Sequence, residues 1–319
     1  MNENNNIINN YINKFFNSPI ERTGNYWFVR TDKGVNFDIF TTNGFVGIGW
    51  NDIELSDLIP VNEHATKRKI ALVENLDIDE SSDKSKITSI YNKLIRFNSL
   101  SKGDVIVSPS RKSKRIAFGV VESENCYWEE NPNDFCEHKK RVKVNWVLTK
   151  NFNTLDSMFY KIKGSRHSIS DIKGYAPFID KEMNTFYFKD NSGHYVVDVR
   201  SSNDINTFAL VEFIYQTNNF LSIINEEFDF QESIDDSSIK LNVQSPGKIE
   251  FKMPGGKTML LLTILIPILG GCEDAVSETP DELKSKLKNI VEKHPDKSNE
   301  LKKAMDELEV KYDSINSYH

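Results

Sequence analysis

The sequence predicts an α+β protein: a small β-barrel with a helical insert, a second small α+β unit, then an apolar segment and a helical hairpin at the carboxy terminus. Three observations predict it. Short runs of alternating apolar and polar residues, separated by glycine and asparagine turns, occupy 25–50 and 104–148. One stretch with a 3.6-residue apolar period, 83–99, interrupts them. A single unbroken apolar run, MLLLTILIPIL at 259–269, stands in polar surroundings. The 319 residues leave room for about two domains. Their 38% hydrophobic and 11% aromatic content suffices for buried cores, which excludes wholesale disorder.

Residues 1–24 read as a weakly amphipathic helix, with Ile8, Ile12, Phe15 and Phe16 at helical spacing. Residues 25–150 form the barrel unit. Strands are expected at 26–30, 36–40 and 45–50, with Asp32-Lys33-Gly34 and Asn43-Gly44 supplying hairpin turns. The helix 83–99 presents Ile87, Ile90, Tyr91, Leu94 and Ile95 on one side and stops at Ser101-Lys102-Gly103. Strands at 104–108, 116–122 and 141–148 complete a barrel with one inserted helix.

The second unit, 151–228, is expected to hold helices at 152–162, 168–176 and 206–220. Between them a strand pair, 185–189 and 195–199, folds around Asp190-Asn191-Ser192-Gly193. Residues 229–257 form either an acidic linker or a hairpin of 239–243 with 248–253 around Ser245-Pro246-Gly247. The apolar segment spans 258–272, and 273–319 make the helical hairpin. Thr279-Pro280-Asp281-Glu282 reads as a capping box with proline at the first helical position. Two stripes follow, Leu283, Leu287, Ile290 and Val291, then Leu301, Met305, Leu308 and Tyr312. Helices this polar need a partner for their stripes. Pairing within the hairpin or self-association would provide one, so a homo-oligomer is expected.

Forty basic against 47 acidic residues give a net charge of −7. Any nucleic-acid contact must therefore come from a local basic patch. Three cysteines, Cys126, Cys136 and Cys272, fit a reducing cytoplasm, and 1–10 has no apolar core of signal-peptide length. Enzyme motifs fail on inspection. Gly255-Gly256-Lys257-Thr258 resembles the end of a phosphate-binding loop, but Phe251 stands where that loop needs a glycine. Cys126, Cys136 and His138 lack a fourth ligand at zinc spacing. Ile249-Glu250-Phe251-Lys252 carries a Glu-x-Lys with only Asp235 and Asp236 as upstream acids. No Gly-x-Ser-x-Gly elbow occurs. A non-enzymatic protein without metal or cofactor is expected.

The chemistry concentrates elsewhere. All four tryptophans, Trp27, Trp50, Trp128 and Trp146, lie within 25–150 beside Tyr127. Arg30, the run Arg111, Lys112, Lys114 and Arg115, and the triplet Lys139, Lys140 and Arg141 share that region. Basic side chains take phosphates and aromatic faces stack bases, so this set is the expected ligand site, for single-stranded DNA or a nucleotide. Trp27, Trp50 and Trp146 also suit plain strand core, and 111–115 suits a solvated hairpin tip.

Residues 27–148 resemble the PUA-like fold family that includes EVE domains, in particular the amino-terminal modules of bacterial restriction and defence proteins. The likeness rests on Trp27-Phe28-Val29-Arg30, Gly47-Ile48-Gly49-Trp50, Gly103-Asp104-Val105-Ile106-Val107-Ser108-Pro109, Ile116-Ala117-Phe118-Gly119-Val120-Val121 and Val142-Lys143-Val144-Asn145-Trp146. Ile179-Asp180 and His194-Tyr195-Val196-Val197 look like the continuation in the same proteins. The resemblance implies that nucleic acid or a modified base binds in a pocket on the barrel. After residue 225 the chain departs from the restriction pattern. Where a nuclease or motor domain would follow, it has the apolar run.

That run, with Met259, Leu262, Thr263, Leu265, Ile266, Pro267 and Leu269, admits two readings. As a helix it is roughly 22 Å long, short against a hydrocarbon core of about 30 Å, and Pro267 would kink it. It is either a buried core element or a membrane-active segment whose Thr263, Gly270 and Gly271 let several copies pack closely. Lys252 and Lys257 before it and Glu273 and Asp274 after it would keep its amino-terminal side cytoplasmic. The domain order resembles that of the channel-forming effectors of Hailong anti-phage systems. This implies a cytoplasmic protein associating with the inner membrane, and a partner nucleotidyltransferase whose oligonucleotide controls a channel. The alternative is a soluble restriction-type specificity subunit or nuclease that recognises modified DNA.

Overall fold

The computed structural model describes residues 3–16, 24–130, 135–165, 167–200, 204–241 and 247–313. The chain is mixed α+β and divides into two compact units, 22–183 and 184–319, the second joined by 1–21. The boundary expected at 150 therefore falls at 183/184, and the six expected segments collapse into two.

Helix α1 (Glu3–Phe16) opens the chain and buries Ile8 and Ile12 in the core of the second unit. The first unit then runs β1 (Tyr26–Val29), α2 (Phe37–Asn43), β2 (Phe45–Ile48), α3 (Glu63–Val73), α4 (Ser81–Asn98), β3 (Val105–Pro109), β4 (Arg115–Val121), β5 (Tyr127–Trp128), β6 (Lys140–Asn151), α5 (Phe159–Lys163), β7 (Ile169–Asp171) and α6 (Ala176–Met183). Its sheet is ordered β2-β6-β4-β3-β1-β7, with β5 also on β6, and curls into a half-barrel. Among the described strands of this sheet β1 and β3 pair in parallel and the other pairs are antiparallel. The long β6 serves both ends: it pairs with β2 and β5 near Lys140 and with β4 toward Asn151, across a register shift at Phe118/Gly119. Such a bulge bends the strand and tightens the twist.

β1 and β3 are buried at every position because the sheet is covered on both faces. Trp27, Val29 and Ile106 face a core shared with α3 and α4. Tyr26, Phe28, Val105 and Val107 face one shared with α5 and α6.

Several expected elements change here. The strand 36–40 is instead α2. Asp32-Lys33-Gly34 is a 3-10 turn leading into it, and Gly44 is its left-handed cap at φ +68°. Asn-Gly serves a helix end as readily as a hairpin, because both need positive φ. Helix α3 has an apolar pattern too sparse to be legible. The helix 152–162 is a 3-10 turn plus the short α5, and 168–176 is β7 plus a turn. β7 pairs with β1, so 151–183 completes the first sheet.

The second unit contains β8 (Phe186–Lys189), β9 (Ser192–Val199), α7 (Thr207–Glu227), β10 (Ser238–Leu241), β11 (Gly247–Pro254), α8 (Lys257–Gly270), α9 (Asp281–Lys293), α10 (Pro295–Glu307) and β12 (Val310–Lys311). The sheet order is β10-β11-β9-β12, with β8 on β9. The strand pair at 185–199 and the helix from 207 form as expected, with Asn206 capping α7 through bonds from Phe208 N and Ala209 N. The hairpin reading of 239–253 also holds, its turn lying outside the described residues.

Helix α8 is the apolar run, and it is the centre of this unit. Thr258 through Pro267 are all buried, and so is Leu269. Tyr195, Val197, Phe251 and Met253 from the sheet, Phe213 and Phe220 from α7, and Leu283, Leu287, Leu301 and Met305 from α9 and α10 share that core. A helix apolar on all sides is a buried helix. Thr263 satisfies its hydroxyl on Met259 O at 2.8 Å, and Pro267 lies in the last turn, where little of the ladder is lost. Met259, Leu262, Leu265 and Ile266, which the membrane-active reading places against lipid and the core reading against protein, are buried in this core. Among the described residues no helix is long and apolar enough to cross a membrane.

The phosphate-loop look-alike has its own occupant. Gly255 and Gly256, at φ +83° and +86°, turn the chain into α8, and Glu232 accepts bonds from Lys257 N and Thr258 N, both at 2.9 Å. A carboxylate thus fills the anion position of the helix amino terminus. Thr279 does not cap α9; Pro280 holds that position, and the Thr279 hydroxyl meets Tyr11 on α1 at 3.2 Å. The stripes of α9 and α10 are buried within the same unit, and Tyr312 lies beyond α10. The need for a second copy that motivated an oligomer therefore disappears.

Candidate functional site

A pocket of about 190 Å³ opens in the first unit where β1 and β2 end. Val29 from β1 with Arg30 just beyond, Gly47 and Ile48 from β2 with Gly49 and Trp50 just beyond, Phe97 from α4, and Asp32, His138 and Ser168 from connecting segments line it. The sequence Gly47-Ile48-Gly49-Trp50 builds one wall. A Cβ on Gly47 would stand 2.9 Å from His138 Cβ, so glycine there lets the imidazole lie against β2. Trp50 turns out of the strand at φ +57°, a conformation costly for a bulky residue. The turn is tied down on several sides: Ile53 N donates to Trp50 O at 3.0 Å, Asn51 Nδ2 donates to Glu137 O at 2.7 Å, and Lys139 N donates to Asn51 Oδ1 at 3.1 Å.

Against this wall lies a carboxylate–imidazole pair. Asp32 Oδ2 sits 2.9 Å from His138 Nε2 and accepts from Asn36 Nδ2 at 2.8 Å. The bond from His138 holds the Asp32 carboxyl below its ordinary range, so it is ionised at neutral pH. Among the described residues nothing donates to Asp32 Oδ1, and the side chain is 60% exposed. The pocket lining therefore includes both an aromatic residue, Trp50, and an anionic acceptor, Asp32. Arg30 reaches the wall, but its Nε donates to Ser165 O at 2.8 Å and its Nη2 also bonds the 163–165 turn.

The other expected ligand residues divide sharply. Arg111, Lys112 and Lys114 are exposed on a tight turn, with Lys112 at φ +56°. Arg115 is exposed too, over Phe37 and 2.8 Å from Asp38. This turn packs on the Asp32–Gly34 turn so closely that a Cβ on Gly34 would meet Arg111 Cα at 2.2 Å. The basic turn thus begins within two residues' reach of pocket-lining Asp32.

Trp27, Lys140 and Arg141 are buried and belong to the framework, which corrects their assignment as ligand contacts. Trp27 Nε1 donates to Asp104 Oδ2 at 3.0 Å. Arg141 donates to His138 O at 2.7 Å and Cys136 O at 3.0 Å and covers Phe45. The Lys140 ammonium donates to Trp50 O at 2.7 Å and Ile53 O at 2.8 Å.

Tyr127, Trp128 and Trp146 are half-buried on β5 and β6, with Lys139 and Lys140 over the Trp128 ring. Trp146 donates to Phe40 O at 2.8 Å and, with Tyr127, lines a shallower polar depression of about 480 Å³. They do not line the pocket of Trp50.

Burial pushes the Cys126 thiol up to about 12, which leaves it protonated and unreactive at neutral pH. Among the described residues no three His, Cys, Asp or Glu side chains converge to hold a metal ion. Glu250, of the Glu-x-Lys motif, is buried and accepts from Tyr187 at 2.6 Å and pairs with His194 at 2.7 Å, while Asp235 and Asp236 lie in an exposed turn.

Sequence reasoning missed Asp32, His138, Phe97 and Ser168. Asp32 counted as a turn residue, and His138 stood out only through its spacing from Cys136. Their pairing crosses more than a hundred residues and has no local pattern.

A family model described as a domain of unknown function (DUF8426) matches residues 28–173, a span inside the first unit that carries every residue lining the pocket. No curated protein matches the chain.

Proposed function

We propose that the first unit is a PUA-like binding module for a single-stranded or extruded nucleotide. The base enters the pocket between Trp50 and the Asp32–His138 pair, and its phosphates run over the 111–115 turn. The observation that supports this most is the juxtaposition itself: an aromatic face held in a strained turn, an open carboxylate oxygen, and an exposed cationic loop packed against that carboxylate's own turn. A volume of about 190 Å³ is below the range of roughly 300–1,000 Å³ that takes larger ligands, and suits one planar heterocycle. Asp32 Oδ1 accepts from an exocyclic amino group, so cytosine and adenine should be favoured over thymine. Resemblance to modules of bacterial restriction and defence proteins makes sensing of foreign or modified nucleic acid the natural setting. Membrane action by α8 is not part of this reading, because the helix would first have to leave its core.

The test is fluorescence polarisation with labelled oligo(dC), oligo(dA) and oligo(dT) and with a duplex carrying one unpaired cytosine. Saturable binding is expected, and Trp50→Ala should weaken it by about 1–3 kcal/mol, roughly 5- to 150-fold, the worth of one stacked base. Asp32→Asn keeps the shape but removes the charge, so oligo(dC) should lose about tenfold while oligo(dT) changes little. Absence of binding to all four probes at micromolar protein would refute the reading.

A further inference from the structure

We propose that Lys140 is a positioning residue: its buried ammonium acts as a latch that holds Trp50 in the pocket wall, and base binding depends on Lys140 through Trp50 rather than by contact with the ligand. The inference rests on the nucleotide reading and adds to it how the aromatic wall is set.

The geometry is specific. Lys140 opens β6 and is fully buried. Two of its three ammonium protons go to the carbonyls of Trp50 and Ile53, at 2.7 and 2.8 Å. Those carbonyls bracket the turn in which Trp50 adopts φ +57°. A bulky residue keeps such a backbone only when its surroundings over-determine it. Asn51 fixes the outside of the turn to the 137–139 segment, and Lys140 fixes the inside. Trp50 is one of the residues that line the pocket, and its ring also carries the Lys93 ammonium at 5.7 Å. Nothing in this arrangement places the ammonium where a ligand phosphate could reach it.

The surroundings also make the latch sensitive to pH. The groups facing the ammonium are the Cys126 thiol, the carboxylates of Asp52 and Asp57, the Lys69 ammonium and the Trp128 ring at 5.2 Å. Asp57 is itself paired with Lys69 at 2.6 Å. Burial outweighs these acids and brings Lys140 down to about 8. Below that pH the bonds to Trp50 and Ile53 are charge-assisted; above it they become ordinary amine bonds of roughly half the strength. The turn should loosen as pH rises through 8. The Cys126 thiol does not mask the effect, because burial holds it far above this range.

Two measurements test the latch. The first uses the full chain and oligo(dC), whose base does not titrate between pH 7 and 9.5. Wild-type affinity should fall about fivefold over that range. Lys140→Met should show the loss already at pH 7 and a flat profile. In a Trp50→Ala background, Lys140→Met should add nothing further, because both act through one indole. Equal affinity of Lys140→Met and wild type, or additive losses in the double variant, overturns the proposal.

The second measurement needs no ligand and no Lys140 variant. The Trp50 share of the indole emission, wild type minus Trp50→Phe, should change with a midpoint near pH 8. A signal flat from pH 7 to 9.5 overturns the latch. A titrating signal without oligonucleotide binding upholds it and refutes the nucleotide reading instead.

Discussion

Replacing Leu262 with lysine is expected to unfold the second unit while the first keeps its ligand affinity. Leu262 is fully buried on α8 among side chains from the sheet and from α7, α9 and α10. An unpaired ammonium in that site costs several kcal/mol, a large share of the roughly 5–15 kcal/mol that keeps a domain folded. The milder Leu262→Ala should cost about 2–5 kcal/mol and lower the melting temperature by roughly 5–15 °C. Calorimetry with oligonucleotide binding measured alongside would show early melting of one transition only. A lysine variant that melts like wild type, yet differs from it in permeabilising lipid vesicles, would return α8 to a membrane role.

The second large effect concerns the basic turn. Reversing Arg111, Lys112, Lys114 and Arg115 together to glutamate should weaken oligonucleotide binding at least a hundredfold at low salt, on the order of four lost phosphate contacts. The slope of log affinity against log salt should shrink by about 0.7 for each contact removed from a single strand. The four side chains are exposed, and the ion pair of Arg115 with Asp38 is a surface pair of small worth, so the melting temperature should hardly move. An unchanged slope would take the turn out of the site. Reading affinity at several salt concentrations separates this outcome from the loss of the base pocket, which lowers affinity without altering the slope.

Local pattern was enough for some elements and not for others. Helix α4 was legible because Ile87, Ile90, Leu94 and their neighbours repeat at 3.6 residues over about three turns. β3 and β4 were legible as short apolar runs bounded by turn residues. Helix α2 was not, since Phe37, Ile39 and Phe40 alternate well enough for a strand, and the decision came from packing Phe37 and Phe40 into the core and from Gly44 closing the end. β7 is three residues long and exists only because β1 offers it an edge. For the site, residue type drew attention to Trp50 and Arg30, which line the pocket, and to the exposed 111–115 turn packed beside Gly34. It misjudged Trp27, Lys140 and Arg141, because a basic or aromatic residue on a strand looks the same whether its head group reaches solvent or a backbone carbonyl.

The sequence by itself determined the α+β class, the central β-strands, the strongly periodic helices, and the region where aromatic and basic chemistry gathers. Those properties reside in periodicity and composition, which act over a few turns or strands. Tertiary structure decided the rest. It made the apolar run a core helix, because a sheet face and the helices α7, α9 and α10 surround it, and length alone does not tell protein from lipid. It drew 151–183 into the first unit through one short strand pairing. It also made Asp32 and His138 a pair, since a side-chain contact between positions 106 residues apart has no trace in either segment until the half-barrel closes and brings them to 2.9 Å.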